Sequence, residues 1–240
     1  MTIALSWSRL STYMSCPKKF HLSYISKSFR EEEKSIHLVK GEQLHKQMED
    51  YILARNGAAT MPLGFSAEVK QSLPYVDKLY TLFDVIHPEA QVAADINWKA
   101  CEWFGKETAW RAIWDASALS ANKCFIADWK SGKVYPYGDG FGQLHLSSVI
   151  ALERWETLPE VTSAYVYLEH KTVTPIKLTR EKTGQVDSKG KPVPHLAEVK
   201  QYFEDWFEKV QMEKAWEPIA NENCRYCQAT RAQCKYSRKL

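Results

Sequence analysis

Along this chain, stretches with apolar residues at every third or fourth position trade places with stretches in which apolar and polar residues alternate at every step. Leu10, Tyr13 and Met14 give the first helical face, with Ser6 or Ser8 to cap it. Pro17 suits the first turn of a second helix that carries Phe20 and Tyr24, so residues 6–26 read as two short helices meeting at a proline. A third helix is predicted over 36–55, where Leu44, Met48, Tyr51 and Ile52 form a stripe and His45 lies beside it, one turn after Gly41. Residues 65–86 read as one helix kinked near Pro74. Strands follow at 91–101, 108–119 and 124–129, a helix at 143–155, two further strands at 161–169 and 173–179, and a last long helix at 196–216 that buries Val199, Phe203, Trp206, Phe207 and Val210. Charged or Gly- and Pro-rich stretches at 30–34, 56–62, 131–142 and 183–194 read as loops. The order describes an α/β protein with a central mixed sheet flanked by helices. No repeat or linker divides it, so one domain over 1–240 is expected.

The stretch from Trp110 to Lys133 holds the first chemistry. Two apolar and aromatic runs flank the polar tetrad Ser120-Ala121-Asn122-Lys123, which predicts a hairpin. A turn centred between Ala121 and Asn122 sets Asp115 across from Asp128, and period-two alternation puts Lys130 on the face of Asp128 with Trp129 pointing away. Carboxylates facing each other at roughly 5 Å repel unless a cation sits between them. Hard carboxylate oxygens suit Mg²⁺ or Mn²⁺, and an imidazole such as that of His45 favours Mn²⁺. Such a metal lowers the pKa of bound water and polarises a phosphoryl oxygen, and an adjacent lysine can orient the nucleophile or stabilise developing charge. A strand ending in charged residues is commonplace, so Asp-x-Lys counts only in this context. His45 taken alone reads more often as an ordinary surface or partly packed histidine.

Composition adds limits. The chain has 240 residues, 45% hydrophobic and 25% charged, with nine Trp, as a folded globular protein does. A net charge of +3 does not by itself imply a nucleic-acid partner, but residues 224–240 hold five basic side chains (Arg225, Arg231, Lys235, Arg238, Lys239) and no acidic one. No run of about 18 apolar residues occurs and the first residues lack a signal-peptide pattern, so a cytoplasmic protein with no membrane association is expected. Cysteines in a reducing compartment are poor disulfide candidates. Three of the six, Cys224, Cys227 and Cys234, fall within eleven residues and point to a metal site. Four ligands are needed; Cys16 is the candidate for the fourth, since Cys101 and Cys124 fall in predicted strands. On spacing alone zinc and an iron–sulfur cluster fit equally well.

Together these residues resemble the PD-(D/E)XK nuclease superfamily in its RecB-like branch, above all iron–sulfur nucleases such as the AddB nuclease domain and the exonucleases of CRISPR adaptation. The opening S-W-S-R-L-S-T-Y-M-S-C-P-K-K-F at 6–20 is similar to that branch's N-terminal signature, Gly41 to His45 to its G-x-x-x-H element, Asp115 to its first acidic position, and Asp128-Trp129-Lys130 to (D/E)-x-K. Trp114 stands where the superfamily's proline would be, and Gln143 begins a Q-x-x-x-Y element in which position 147 is Ser. The resemblance implies a restriction-endonuclease-like fold. It implies metal ligation by His45, Asp115, Asp128 and the main-chain carbonyl of Trp129, and catalytic roles for Asp115, Asp128, Lys130 and Gln143. It also implies a 4Fe–4S cluster, in preference to zinc, on Cys16, Cys224, Cys227 and Cys234, clasping the chain's two ends. The activity implied is Mg²⁺- or Mn²⁺-dependent hydrolysis of DNA, as an exonuclease on single strands or ends, in recombination, repair, phage DNA metabolism or CRISPR adaptation. No Walker A pattern is present, so unwinding would fall to a helicase or a recombination or adaptation partner. The rival expectation is a catalytically silent DNA-binding subunit of a recombination or repair complex.

Overall fold

A computed structural model describes residues 2–29, 35–134 and 141–238. The predicted loop at 30–34, half of the one at 131–142, and Lys239 of the basic tail lie outside the described residues. Five strands form one sheet in the order β1 (Ile86–Ala94), β2 (Trp110–Leu119), β3 (Cys124–Lys130), β4 (Glu160–Tyr167) and β5 (Thr172–Thr179). Neighbours are antiparallel except β3 and β4, which run parallel and are joined by helix α6 (Gln143–Arg154). A parallel pair needs such a crossover. It also explains why β3 is buried along nearly its whole length, reading Cys-Phe-Ile-Ala-Asp-Trp-Lys with one exposed flank only at the end.

Helices cover both faces. On one, α1 (Trp7–Ser15), α6 and α7 (Leu196–Met212) bury Leu10, Val149, Phe203 and Phe207 against Trp110, Trp114 and Ile126. On the other, α3 (Ile36–Arg55), α4 (Ala67–Lys70) and α5 (Leu73–Leu79) bury Leu44, Met48, Ile52, Val69 and Val76 against Ala116, Ala127, Trp129 and Val166. The short α2 (Pro17–Phe20) starts at Pro17 as expected and runs on as a π-helical turn to Ile25. Ser6 caps α1 through the N–H of Arg9, and Ser35 caps α3 through that of Leu38. Among the described residues no helix is long and apolar enough to cross a membrane.

Several predicted elements differ, the last helix among them, which ends at Met212 rather than at 216. The helix expected over 65–86 is two short helices, because Ser72 and Pro74 restart the chain and Phe83 and Ile86 are spent on the sheet core. The first strand begins at Ile86 rather than Gln91 and ends at Ala94, so Cys101 lies beyond it in a turn, where its thiol contacts the Thr108 hydroxyl at 3.7 Å. Pro88 hid this strand; it is tolerated because β1 is a sheet edge. Thr108 and Ala109 likewise precede β2 instead of belonging to it.

The two chain ends are tied together. Ile3 and Gln211 exchange two hydrogen bonds of 2.9 Å, Tyr13 Oη donates to Glu213 at 2.9 Å, and Asn221 Nδ2 donates to Ser15 O at 3.0 Å. Phe203 lies at the centre of this region, unexposed, edge-on to Trp98 and Trp110, which stack on each other at 4.8 Å. Phe203→Ala is expected to cost about 3–5 kcal/mol and to lower the thermal midpoint by roughly 6–20 °C, read by circular dichroism. Phe203→Leu, which refills most of the volume, should cost less than about half of that.

Candidate active site

The β2–β3 hairpin has the register read from the sequence: Ala116, Ser117, Ala118 and Leu119 pair with Ala127, Ile126, Phe125 and Cys124. The ladder ends at Ala116–Ala127, immediately before Asp115 and Asp128 would meet. There Asp115 turns its carboxylate onto the backbone, and Oδ2 accepts the N–H of Trp129 at 2.6 Å. Further back along β2 the partner is Leu5, whose N–H donates to Ala109 O and whose carbonyl accepts from Arg111 N. Between these two pairings lies a cleft of about 520 Å³. His45, Asp115, Asp128, Lys130 and Gln143 all line it.

Each side chain is delivered by a local feature. Gly41 lets α3 approach the end of β3, since a Cβ there would lie 2.9 Å from Ser131 Oγ, and His45 follows one turn later with Nδ1 3.6 Å from Asp115 Oδ1. Gln143 is the first residue of α6, whose entry is fixed by the Gly142 N–H donating to His145 Nδ1 at 3.2 Å. Its amide bridges the pair on β3: Nε2 donates to Asp128 Oδ2, and Oε1 accepts from Lys130 Nζ at 3.1 Å. The Lys130 ammonium lies 2.5 Å from Asp128 Oδ1 and 4.8 Å from the centre of the Tyr165 ring, which β4 supplies directly beside Asp128. Asp128 Oδ1 is nevertheless buried without a well-formed hydrogen bond. Ser147, at the position where the resemblance would put a tyrosine, is buried in the cleft wall.

One residue escaped the sequence reading. Glu89 sits in β1 between Pro88, paired with Ala116, and Ala90, paired with Trp114, so it is across from Asp115. Its φ of 48° is in the left-handed region that a non-glycine residue adopts at a cost. Ligand atoms of His45, Glu89 and Asp115 lie within 4.8 Å of one another, the one such group among the described residues. Asp128 shares the cleft but is drawn toward Lys130 and Gln143 instead. The signal was available only through the strand: placing β1 four or more residues late left Glu89 in a supposed connector.

The charges strain one another. Burial pushes the Asp128 carboxyl up to about 6, Lys130 pulling it down and Asp115 adding to the rise. Glu89 is raised by burial and then by Asp115. Burial would lower His45, but Asp115, Asp128 and Glu89 outweigh it and raise it. Buried carboxylates with a free lone pair and an imidazole are the donor set of a hard divalent cation, so these residues fit one.

The four cysteines collected from the chain's ends share one cavity. Cys16, Cys224, Cys227 and Cys234 line one cavity between α1–α2 and the C-terminal segment, and all are free thiols. Lys19 N donates to Cys16 Sγ and Asn221 N to Cys224 Sγ, both at 3.4 Å. The other two cysteines stay apart; Cys124 is buried at the start of β3, with its thiol pushed up to about 12 by burial.

A five-stranded mixed sheet with buried carboxylates on adjacent strands, a lysine two residues after one of them and helices on both faces defines an α/β protein whose cleft carries a donor set that fits a divalent cation. The chain belongs to the PD-(D/E)XK nuclease superfamily, whose family model matches residues 4–235. No curated protein matches it in sequence. Among solved structures it is similar to one named as a candidate exonuclease from Eubacterium rectale, at 15% identity and a TM-score of 0.49, covering 94% of this chain and 87% of that one. It is also similar to the protein SSO0001, at 13% identity and a TM-score of 0.44, covering 95% and 84%.

The raised carboxyl of Asp128 has a consequence for stability. A carboxylate whose folded pKa exceeds its unfolded value stabilises the fold only while protonated, so its contribution is lost as pH rises from about 4 to about 6. In chelator at about pH 7, Asp128→Asn should therefore be more stable than the parent by ~1–3 kcal/mol, a rise in melting midpoint on the order of 5 °C. The gap should close toward pH 4. An asparagine variant that melts no higher than the parent at neutral pH would contradict the assignment.

Proposed function

We propose that this protein is a metal-dependent deoxyribonuclease of the RecB-like branch that hydrolyses DNA phosphodiester bonds, acting as an exonuclease on single-stranded DNA or DNA ends. The observation that carries the reading is the convergence in one cleft of His45, Glu89, Asp115, Asp128, Lys130 and Gln143, drawn from α3, β1, β2, β3 and α6. His45, Glu89, Asp115 and Asp128, with the Trp129 carbonyl that the resemblance adds, would hold Mg²⁺ or Mn²⁺. A divalent cation there supplies neutralisation of phosphate charge and a more acidic water. The Lys130 ammonium lies beside Asp128, where it can neutralise a phosphoryl oxygen or hold the attacking water. Gln143 fixes the orientation of the Asp128–Lys130 pair by bonding to both. Tyr165 walls the ammonium on the side away from solvent.

The four cysteines are proposed to hold a 4Fe–4S cluster, with zinc as the competing occupant. Their common cavity and the two N–H···S hydrogen bonds support a metal there, because thiolates are stabilised by such donors. The role assigned is structural, a clasp closing a loop of about 208 residues between Cys16 and Cys224. One domain over 1–240, working in the cytoplasm with a helicase or a recombination or adaptation partner for unwinding, completes the reading.

Labelled linear single-stranded DNA should be degraded with Mg²⁺ or Mn²⁺ and spared in chelator, while a circular single strand resists. Asp128→Ala and Lys130→Ala should each slow degradation at least about 100-fold. Wild-type protein inert with both metals, or variants that cut as fast, would leave the silent DNA-binding subunit as the reading. For the cysteines, anaerobic protein should be brown and Cys227→Ser should bleach it. Colourless protein carrying one zinc would sink the cluster.

A further inference from the structure

The cleft has a second half that hydrolysis does not use. Arg9, from the first turn of α1, and Arg111, on β2 four residues before Asp115, both line it, together with Trp103. The pairing of Leu5 with Ala109 and Arg111 brings the start of α1 alongside β2, and with it Arg9. The two cations feel each other: Arg111 is held below the usual guanidinium range, first by burial and then by Arg9. Among the described residues no carboxylate pairs with either. Arg9 donates from Nη1 to the Ala4 carbonyl at 2.8 Å, and its guanidinium lies 5.1 Å from the Tyr24 ring centre. The Nε of Arg111 is buried and has no hydrogen-bond partner.

Two neighbouring guanidinium groups, partly withdrawn from water and without a counter-ion, repel each other as the facing carboxylates do, with the sign reversed. An anion between them removes the cost, and the guanidinium fork suits phosphate oxygens. The ligand is narrowed by what lies over Arg111. Its guanidinium rests 5.5 Å from the ring centre of Trp103 and 5.4 Å from that of Phe104. Phe104 is 85% exposed on a short turn. An exposed ring beside a phosphate-binding cation offers a face to a base, and away from a duplex end only an unpaired base has a face to give. Along β2 the distance from Arg111 to Asp115 is at most about 13 Å, which is a few nucleotides of strand.

We propose that Arg9 and Arg111 form a phosphate subsite and that Trp103 and Phe104 stack an unpaired base beside it, so that the cleft holds single-stranded DNA a few nucleotides from the hydrolytic centre and excludes duplex. The ligand class rests on the nuclease reading; the subsite itself is tested by binding, not by cutting.

Fluorescence anisotropy in chelator, where no cleavage occurs, would compare labelled oligo-dT with a blunt duplex of equal length. Arg111→Gln should weaken oligo-dT binding about tenfold and reduce the slope of log affinity against log salt by about 0.7–1 per lost phosphate contact. Arg9→Gln should act in the same direction. Phe104→Ala should weaken oligo-dT binding by roughly 5- to 100-fold while leaving duplex binding unchanged. Because Phe104 is exposed, this variant keeps its fold and carries the test even if an arginine variant does not. Unchanged oligo-dT affinity in Phe104→Ala, equal losses on both DNAs, or wild-type protein that does not bind oligo-dT would overturn the proposal. Protein that cuts nothing with either metal but shows these binding losses would refute the nuclease reading and keep the subsite. Normal cutting with unchanged Phe104→Ala binding would do the reverse.

Discussion

Everything at the centre of this molecule follows from placing two carboxylates, Asp115 and Asp128, at facing positions of adjacent buried strands. A regular ladder through that point would bury two like charges at close range. The ladder stops instead at Ala116–Ala127, and the Asp115 side chain replaces the missing main-chain acceptor for Trp129. Because β2 runs on past the end of β3, its remaining edge needs a partner, and Leu5 provides one. The cleft is thus the interval between two ways of satisfying one strand's backbone. Its acidic lining and the helix beside it are consequences of the same break. Glu89, held at positive φ across from Asp115, marks the break on the β1 side as well.

The N-terminal segment serves both proposed centres. Leu5 closes one end of the cleft, Arg9 projects into it, and Cys16 reaches the cysteine cavity at the other end of α1. Hydrogen bonds between Ile3 and Gln211, from Tyr13 to Glu213 and from Asn221 to the Ser15 carbonyl hold that segment to the chain's far end without any metal. A cluster on the cysteines would therefore reinforce a clasp that already exists. It would also act on the cleft's geometry, since α1 is packed rigidly between the two.

Much of this was legible before any coordinates, for identifiable reasons. The hairpin register was readable because a polar tetrad between two apolar runs leaves few ways to close, and the span of α3 because its stripe repeats cleanly from Leu44 to Ile52. Cys16 could be grouped with the C-terminal cysteines by ligand counting, and all four line one cavity. What failed did so where local pattern and tertiary demand part company. Pro88 and the polar pair at its flanks look like a connector, yet an edge strand accepts them, and missing that strand meant missing Glu89. Phe83 and Ile86 continue a helical spacing but are claimed by the sheet core. Tyr165 and Arg111 carry no motif at all; only the packing of β4 and of Leu5 gives them neighbours that make them notable.

The two halves of the cleft have opposite charge, and this orders events. A polyanionic strand meets attraction at Arg9 and Arg111, whose mutual repulsion it relieves, but meets Glu89, Asp115 and Asp128 with only His45 and Lys130 to offset them. In the proposed scheme, capture of a strand and its entry to the acidic end are energetically separate: the first would need no cation, whereas the second would be opposed until the carboxylates are neutralised. The stability penalty carried by Asp128 has the same origin, since carboxylates kept buried and close for a divalent cation are costly to hold without one. The fold offsets that cost with the Trp129 N–H on Asp115 and with Lys130 and Gln143 on Asp128, whose Oδ1 still lacks a well-formed hydrogen bond.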